Sequence, residues 1–452
     1  PLPSPPPPTP SPPPPTSPPA SPPPPPTTPP PPSPPPPLAF SDASIGASTS
    51  VAASTPALAA ALPAFSGFGA SATPIGDING DGVPDLAVGA ETETVGGVFG
   101  AGAVYVLFMH ANGTAQSTTK ITAGSGGFVA ELTAFSHFGC SVVAIDVDGD
   151  GRVELAIGAR GDADGGLNAG AVYVLFFTPL GTAGPADAGP TSGRRGLQAA
   201  GVEISGVEIS SFSKLSATSG GLPVSAESRF GTAITSAGDF DGDGIPDLIV
   251  GAPDDEGAGA LLIVALRADG SVGSHVKVSP SSWGALGPTL SRGTHFGHAV
   301  ALTTIAGVMT LAVGAPASPD AGAVFILRLV DSAVQSVTAL APPSDLQPES
   351  QFGQALAFAA DWDGNGLPEL VVGAPRAPEG GSERGAVYVL KLYGDGTRYY
   401  DAVKLTEPGG GADNSRFGRA VGVSTAQIRI GLGPSRAGLG LGGVRVGRDG
   451  EW

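Results

Sequence analysis

Apolar residues in this chain come in short runs punctuated by glycine, and the runs recur in a fixed order. Leu86-Ala87-Val88, Leu155-Ala156-Ile157, Leu248-Ile249-Val250 and Leu370-Val371-Val372 each lead into Gly-Ala, at Gly89-Ala90, Gly158-Ala159, Gly251-Ala252-Pro253 and Gly373-Ala374-Pro375. Runs this short, bounded by glycine, predict buried strands. A second strand follows in each unit: Ala103-Val104-Tyr105-Val106-Leu107, Ala171-Val172-Tyr173-Val174-Leu175, Ala260-Leu261-Leu262-Ile263, Ala323-Val324-Phe325-Ile326-Leu327 and Ala386-Val387-Tyr388-Val389-Leu390. A last short strand closes the unit around Lys120-Ile121, Lys214-Leu215, Lys277-Val278, Ala339-Leu340 and Lys404-Leu405. Each unit opens with Phe-Gly, at Phe68-Gly69, Phe138-Gly139, Phe230-Gly231, Phe296-Gly297, Phe352-Gly353 and Phe417-Gly418.

This pattern predicts four strands per unit of roughly 60 to 70 residues. One such sheet cannot bury both of its faces alone. Stacking several around an axis solves that problem, which is the logic of a β-propeller. No helical periodicity of useful length interrupts the pattern, so the fold is predicted to be all-β. Five units are complete, and a sixth begins at Phe417-Gly418 and then fails where the chain reads Ala426-Gln427-Ile428-Arg429. The propeller is expected over residues 39–424, after a Pro-rich segment at 1–38 and before a Gly- and Arg-rich tail at 425–452 with no strand pattern.

Four units carry an acidic loop between the Phe-Gly pair and the first apolar run. Oxygen-bearing side chains recur at loop positions 1, 3, 5 and 9. They are Asp77, Asn79, Asp81 and Asp85; Asp146, Asp148, Asp150 and Glu154; Asp239, Asp241, Asp243 and Asp247; and Asp361, Asp363, Asn365 and Glu369. Position 7, at Val83, Arg152, Ile245 and Leu367, can add a backbone carbonyl. Ca²⁺ takes about six to eight oxygens around one point, and the loop glycines permit the bends that aim side chains inward. An EF-hand would need Glu at position 12 and then a helix. Here position 12 is Val88, Ile157, Val250 or Val372, inside a predicted strand. Each loop is therefore a turn between strands closed by an ion, with up to four Ca²⁺ per chain. The plainer alternative is a solvated Asp/Asn/Gly turn without metal. The fourth unit has no carboxylate from Leu302 to Thr310 and should bind none.

The Phe-Gly start, the Asp-x-Asp-Gly-Asp-Gly loop and the Gly-Ala-Pro turn together resemble FG-GAP repeats, the units of the integrin α N-terminal propeller. The resemblance covers about residues 65 to 420. It implies a Ca²⁺-stabilised extracellular propeller, usually seven-bladed, that serves adhesion or ligand binding. It also implies that the ion loops lie at one end of the axis. The ligand face would then be the opposite loops, around Glu91 to Gly100, Gly161 to Ala169, Asp254 to Ala258 and Ala377 to Arg384, with Asp162 and Asp164 as contributors.

The net charge of −18 over 452 residues partly reflects these loops. Such acidity argues against nucleic acid, whose phosphates demand basic surface. No apolar run approaches the length of a membrane span. Proline locks φ and removes a donor, so residues 1 to 37 should form polyproline II, reaching about 115 Å at ~3.1 Å per residue. Its composition resembles the hydroxyproline-rich glycoproteins of plant and algal matrix. A start at Pro1 without Met reads as a fragment, so location rests on the ions: weak Ca²⁺ sites fill where Ca²⁺ is plentiful, outside the cell. Cys140 is the single cysteine and reads as a small core residue. Asn112-Gly113-Thr114 is an acceptor sequon in a hairpin turn. Residues 179 to 228 read as a surface insertion.

No catalytic signature is present. His295 and His298 flank Phe296-Gly297 without zinc-protease spacing and read as structural or surface residues. There is no Gly-x-Ser-x-Gly elbow and no phosphate-binding glycine loop. The expected function is thus a non-enzymatic adhesion or ligand-binding propeller for an extracellular protein or glycan. The alternatives are an accessory propeller of a larger extracellular hydrolase and a purely structural matrix component.

Overall fold

The computed structural model describes residues 62–125, 127–178, 207–282, 290–319, 321–330, 332–379, 381–407, 413–424, 427–431 and 441–444. The Pro-rich segment and most of the insertion lie outside them. The first sheet holds β1 (Phe68–Gly76), β2 (Asp85–Ala90), β3 (Ala103–Met109) and β4 (Ala115–Ile121). The second holds β5 (Phe138–Ile145), β6 (Glu154–Ala159), β7 (Ala171–Phe177) and β8 (Ile209–Leu215). The third holds β9 (Ile234–Gly238), β10 (Asp247–Ala252), β11 (Ala260–Leu266) and β12 (Val272–Val278). The fourth holds β13 (Ala299–Ile305), β14 (Val308–Ala315), β15 (Ala323–Val330) and β16 (Ala333–Leu340). The fifth holds β17 (Ala355–Phe358), β18 (Leu370–Ala374), β19 (Ala386–Leu392) and β20 (Tyr399–Leu405). Each is an antiparallel meander with strands paired in chain order. The chain is an all-β propeller of five four-stranded blades, as the apolar pattern predicts.

A sixth, three-stranded sheet adds β21 (Ala420–Ser424), β22 (Gln427–Gly431) and β23 (Leu441–Val444). The last two strands fall past residue 424, where an irregular tail was expected. Ile428 and Ile430 alternate with polar neighbours, but the run is too short and glycine-flanked to stand out as a strand by pattern alone.

Alternation along the inner strands explains why single sheets do not suffice. In β6, Leu155 and Ile157 pack with Ala87, Val104 and Val106 of the first sheet. The intervening Ala156 packs instead with Leu248 and Leu262 of the third sheet. Successive side chains of a strand point to opposite faces, so every inner strand serves two seams. This is why β3, β11 and β19 are buried at every residue, while the outer β12 is mostly exposed. The fourth sheet departs as its missing loop requires. β13 and β14 are joined by Ala306 and Gly307 at φ 52° and 76°, the two left-handed residues of a tight hairpin turn.

Backbone meets backbone at each seam. A Cβ added to Gly89, Gly158, Gly251, Gly314 or Gly373 would lie between 1.9 and 2.0 Å from the carbonyl oxygen of Gly139, Gly231, Gly297, Gly353 or Gly418. The Gly-Ala glycine of one blade thus rests on the Phe-Gly glycine of the next. A parallel bridge beside it joins Gly102 to Phe138, Gly170 to Phe230, Gly259 to Phe296, Gly322 to Phe352 and Gly385 to Phe417. Gly251→Ala is expected to destabilise the fold by about 1–3 kcal/mol, the ordinary cost of overpacking. Gly394→Ala, with no atom within 4 Å of the added carbon, should stay within about 0.5 kcal/mol. Denaturant midpoints of the two variants check this, and equal midpoints would contradict the seam contact.

Candidate functional site

The acidic loops connect the first two strands of blades one, two, three and five. Position 1 organises each loop. The Asp77 carboxylate accepts the Gly80 and Gly82 N–H groups at 2.6 and 2.8 Å, and Asp239 accepts those of Gly242 and Gly244 at 2.7 and 3.0 Å. Asp146 and Asp361 repeat the arrangement. The glycines at positions 4 and 6 all take positive φ, from 74° to 90°, which side-chain-bearing residues avoid.

The residue at position 5, like position 1, also bonds the backbone of its own turn. Asp81, Asp150, Asp243 and Asn365 accept the N–H of Val83, Arg152, Ile245 and Leu367 at 2.7–2.8 Å. They fold the turn. The carboxylates that converge come from positions 1, 3 and 9. Asp146, Asp148 and Glu154, then Asp239, Asp241 and Asp247, then Asp361, Asp363 and Glu369, each bring ligand oxygens within 4.8 Å of one another. In the first loop Asn79 stands at position 3 and donates to Asp81 at 3.0 Å.

Position 9 opens the following strand and is buried: Asp85, Asp247 and Glu369 have no exposed surface and Glu154 is 3% exposed. Each accepts the N–H of position 2, as Glu154 does from Val147 at 2.6 Å and Glu369 from Trp362 at 2.8 Å. Asp85 and Asp247 use their second oxygen for Met109 and Leu266 N–H groups, at 3.0 and 2.9 Å. Glu369 does not, and its Oε1 is buried without a partner in the protein. Such an oxygen is costly, and a cation in the loop would satisfy it. Burial, and then the neighbouring loop acids, push the Glu154 and Glu369 carboxyls up to about 7 against the opposing effect of backbone N–H groups, of Val147 for Glu154 and of Trp362 and Asp363 for Glu369. The donor set is all oxygen, which suits a hard divalent ion.

Strand register places these loops at one end of the blades. Asp85 pairs with Gly76 at that end, and Ala90 pairs with Phe68 at the other. The loops between the second and third strands therefore lie at the end opposite the acidic turns. Asp162 and Asp164 sit there, but both are used internally. Asp162 accepts from the Tyr173 hydroxyl at 2.7 Å and from Lys214 at 2.9 Å, and Asp164 accepts from Ser216 at 2.7 Å and Ser219 at 3.3 Å. They brace the loop and are not free for recognition.

The same brace recurs across blades. Tyr105 and Lys120 meet Glu93 in blade one, and Tyr388 and Lys404 meet Asp345 in blade five. The third-strand tyrosine and fourth-strand lysine of blades one, two and five were visible in the repeat, but the carboxylate came from a loop of irregular length. Cys140, expected as a small core residue, is half-buried: its thiol donates to the Gly231 carbonyl at 3.3 Å, and desolvation of the thiol pushes its pKa up to about 12.

The FG-GAP repeat model matches residues 68–107, 138–175, 230–264 and 352–390. These are the four blades with acidic loops, and the fourth blade, which lacks one, is not among them. Phosphatidylinositol-glycan-specific phospholipase D of Homo sapiens is 28% identical over 355 residues, covering 72% of this chain and 37% of that enzyme. Integrin alpha-PS5 of Drosophila melanogaster is 33% identical over 175 residues, covering 36% of this chain and 16% of the integrin. The matched region thus spans 37% of the phospholipase D and 16% of the integrin, well under two thirds of either relative.

Asp162→Ala leaves Lys214 and Tyr173 without their shared acceptor. Asp164 stays 3.3 Å from the Lys214 ammonium, so the main loss is the acceptor of the buried Tyr173 hydroxyl, which should cost about 1–3 kcal/mol, read as a fall in the denaturant midpoint. Asp413→Ala removes an exposed partner of Arg384 and of the Ser382 N–H and should change stability by less than about 1 kcal/mol.

Proposed function

We propose that this chain is an extracellular Ca²⁺-binding propeller acting as an adhesion or ligand-binding module for a protein or glycan, carried on its Pro-rich segment. The unpartnered buried Glu369 Oε1 within a carboxylate cluster is the observation that carries the metal reading. Asp361, Asp363 and Glu369 would hold one ion. Asp146, Asp148 and Glu154, and Asp239, Asp241 and Asp247, would hold two more. Asp77 and Asp85, with Asn79, would hold a fourth through a less charged set. A bound cation supplies charge neutralisation and cross-links the two ends of its turn. Ca²⁺ is favoured over Mg²⁺ because irregular oxygen cages do not meet the octahedral demand of the smaller ion. Partner binding belongs to the opposite end, where loops differ from blade to blade and can change without disturbing the repeat.

A second reading, as the non-catalytic propeller of an extracellular hydrolase, draws on the similarity to the phospholipase D. Co-purification of the chain with a hydrolytic activity, in place of a saturable matrix partner, would favour it.

Calorimetry at millimolar Ca²⁺ should show up to four ions, with one fewer in Asp241→Ala. No Ca²⁺ uptake would refute the metal reading. Because ions bind the folded loops, each site held at a hundred times its Kd adds about 2.7 kcal/mol. EDTA should therefore lower the melting temperature, and unchanged melting would show that the ions do not support the fold.

A further inference from the structure

The end of the propeller opposite the acidic loops has a cavity of about 290 Å³ where blades two to six converge. Its wall includes Arg160, Arg229, Arg416 and Arg419, with His295 and His298, and Asp254 as its one carboxylate. On a chain with 40 acidic and 22 basic residues, four guanidiniums around one small opening outnumber the three carboxylates that meet them, Glu91, Asp254 and Glu383. We propose that this axial cavity is an anion-binding site that takes the charged group of an acidic glycan, a uronate or a sulfated sugar. The proposal deepens the ligand-binding reading above and rests on it.

Three features carry the inference. The first is how the cations arrive. The Phe-Gly pairs of blades three to six are flanked by residues that reach the cavity: Arg229 before Phe230, His295 and His298 about Phe296-Gly297, Gln351 and Gln354 about Phe352-Gly353, and Arg416 and Arg419 about Phe417-Gly418. The residue before the pair holds a left-handed backbone in blades two to six, with φ from 53° to 60° at His137, Arg229, His295, Gln351 and Arg416. Glycine would hold that conformation with less strain, and the first blade does use one, Gly67. Five blades instead keep a polar side chain there at a cost, and four of these, Arg229, His295, Gln351 and Arg416, line the cavity.

The second feature is the state of the guanidiniums. Arg160 is held by Glu91 at 2.8 Å, Arg229 by Asp254 at 2.9 Å and Arg416 by Glu383 at 2.8 Å. One carboxylate occupies part of a five-donor fork, so each arginine is fixed in place with donors to spare. Arg419 keeps part of its surface open to solvent while its guanidinium lies among the other cavity arginines, and it has no carboxylate partner among the described residues. Crowding lowers its pKa, with burial first and the neighbouring Arg416 and Arg160 charges adding to it against Glu91. A bound anion would relieve that repulsion. The Nδ1 of His298 is buried beside the cavity without a partner.

The third feature is the remaining wall. Gln351, Gln354 and Thr232 add amides and a hydroxyl, which suit sugar hydroxyls. Among the described residues no phenylalanine, tyrosine, tryptophan or large aliphatic side chain lines the cavity, so beyond three prolines it offers little to the apolar parts of a peptide. Planar guanidiniums match carboxylate and sulfate geometry by paired hydrogen bonds.

The test is calorimetric titration of the whole chain, Ca²⁺-loaded and at low salt, with four probes. These are an oligogalacturonate, a sulfated oligosaccharide, a neutral oligosaccharide of equal length and an acidic peptide. The acidic sugars should bind and the neutral one should not, and comparing the two separates carboxylate from sulfate. Affinity should fall as salt rises. Arg419→Gln and Arg229→Gln should each weaken binding about tenfold or more, the loss of a charge-assisted contact, with Ca²⁺ stoichiometry unchanged. Binding of the neutral sugar with equal strength would overturn the proposal. So would preference for the acidic peptide. Acidic-sugar binding that ignores both substitutions would assign it to Ca²⁺ bridging at the acidic loops and overturn it too. The broader reading fails separately, if neither a glycan array nor a matrix pull-down yields any saturable partner for the chain.

Discussion

Close approach of backbone to backbone at the blade seams governs this molecule. The glycine of each Gly-Ala turn lies against the carbonyl of the next Phe-Gly glycine, with room for no side chain between them. That contact sets how near one sheet comes to the next, and the phenylalanine beside it anchors the seam. Phe138, Phe230, Phe296 and Phe352 are wholly buried. The sequence motif is therefore a packing device before it is anything else. Because adjacent blades touch through backbone, side chains flanking the phenylalanine are freed from seam packing and reach the axis.

The same geometry separates the two ends of the blades. A first strand that begins at the seam must end at the far side, where the acidic turn returns it. Ion loops and axial cavity are thus the two ends of one set of strands. The acidic turns are nearly self-sufficient: position 1 gathers glycine N–H groups, position 5 closes the turn, and position 9 anchors the turn to the sheet. A cation there would act on the entry to a buried strand, which is a route to stiffness and not to recognition.

Much of this was legible in the sequence because it repeats. Phe-Gly, the acidic spacing and Gly-Ala recur since each blade meets the same backbone constraints, and recurrence separates such constraints from chance. The missing turn of the fourth blade, from Leu302 to Thr310, was legible for the same reason. What repetition does not encode was harder to see. Spacing alone could not distinguish Asp243, which folds its turn, from Asp241, which faces the cluster. Asp162 looked like a free loop acid because its partner Lys214 lies 52 residues away. The strands Gln427–Gly431 and Leu441–Val444 lack the apolar runs that marked the others. The axial residues gave no signal, since they differ between blades and meet only when the blades assemble. His295 and His298 read as structural or surface residues, yet both reach the cavity wall.

The division between the two basic residue types follows from the same arrangement. Lysines of the fourth strands, Lys120, Lys214, Lys277 and Lys404, are drawn into carboxylate braces. An ammonium is a compact charge, and one or two carboxylates at contact distance largely occupy it. At the axis the same pairing has a different consequence. A guanidinium held along one edge by Glu91, Asp254 or Glu383 is oriented, and its other donors remain directed elsewhere. Arginine at the axis and lysine in the braces are therefore not interchangeable. The first presents charge while being held, and the second spends its charge on holding.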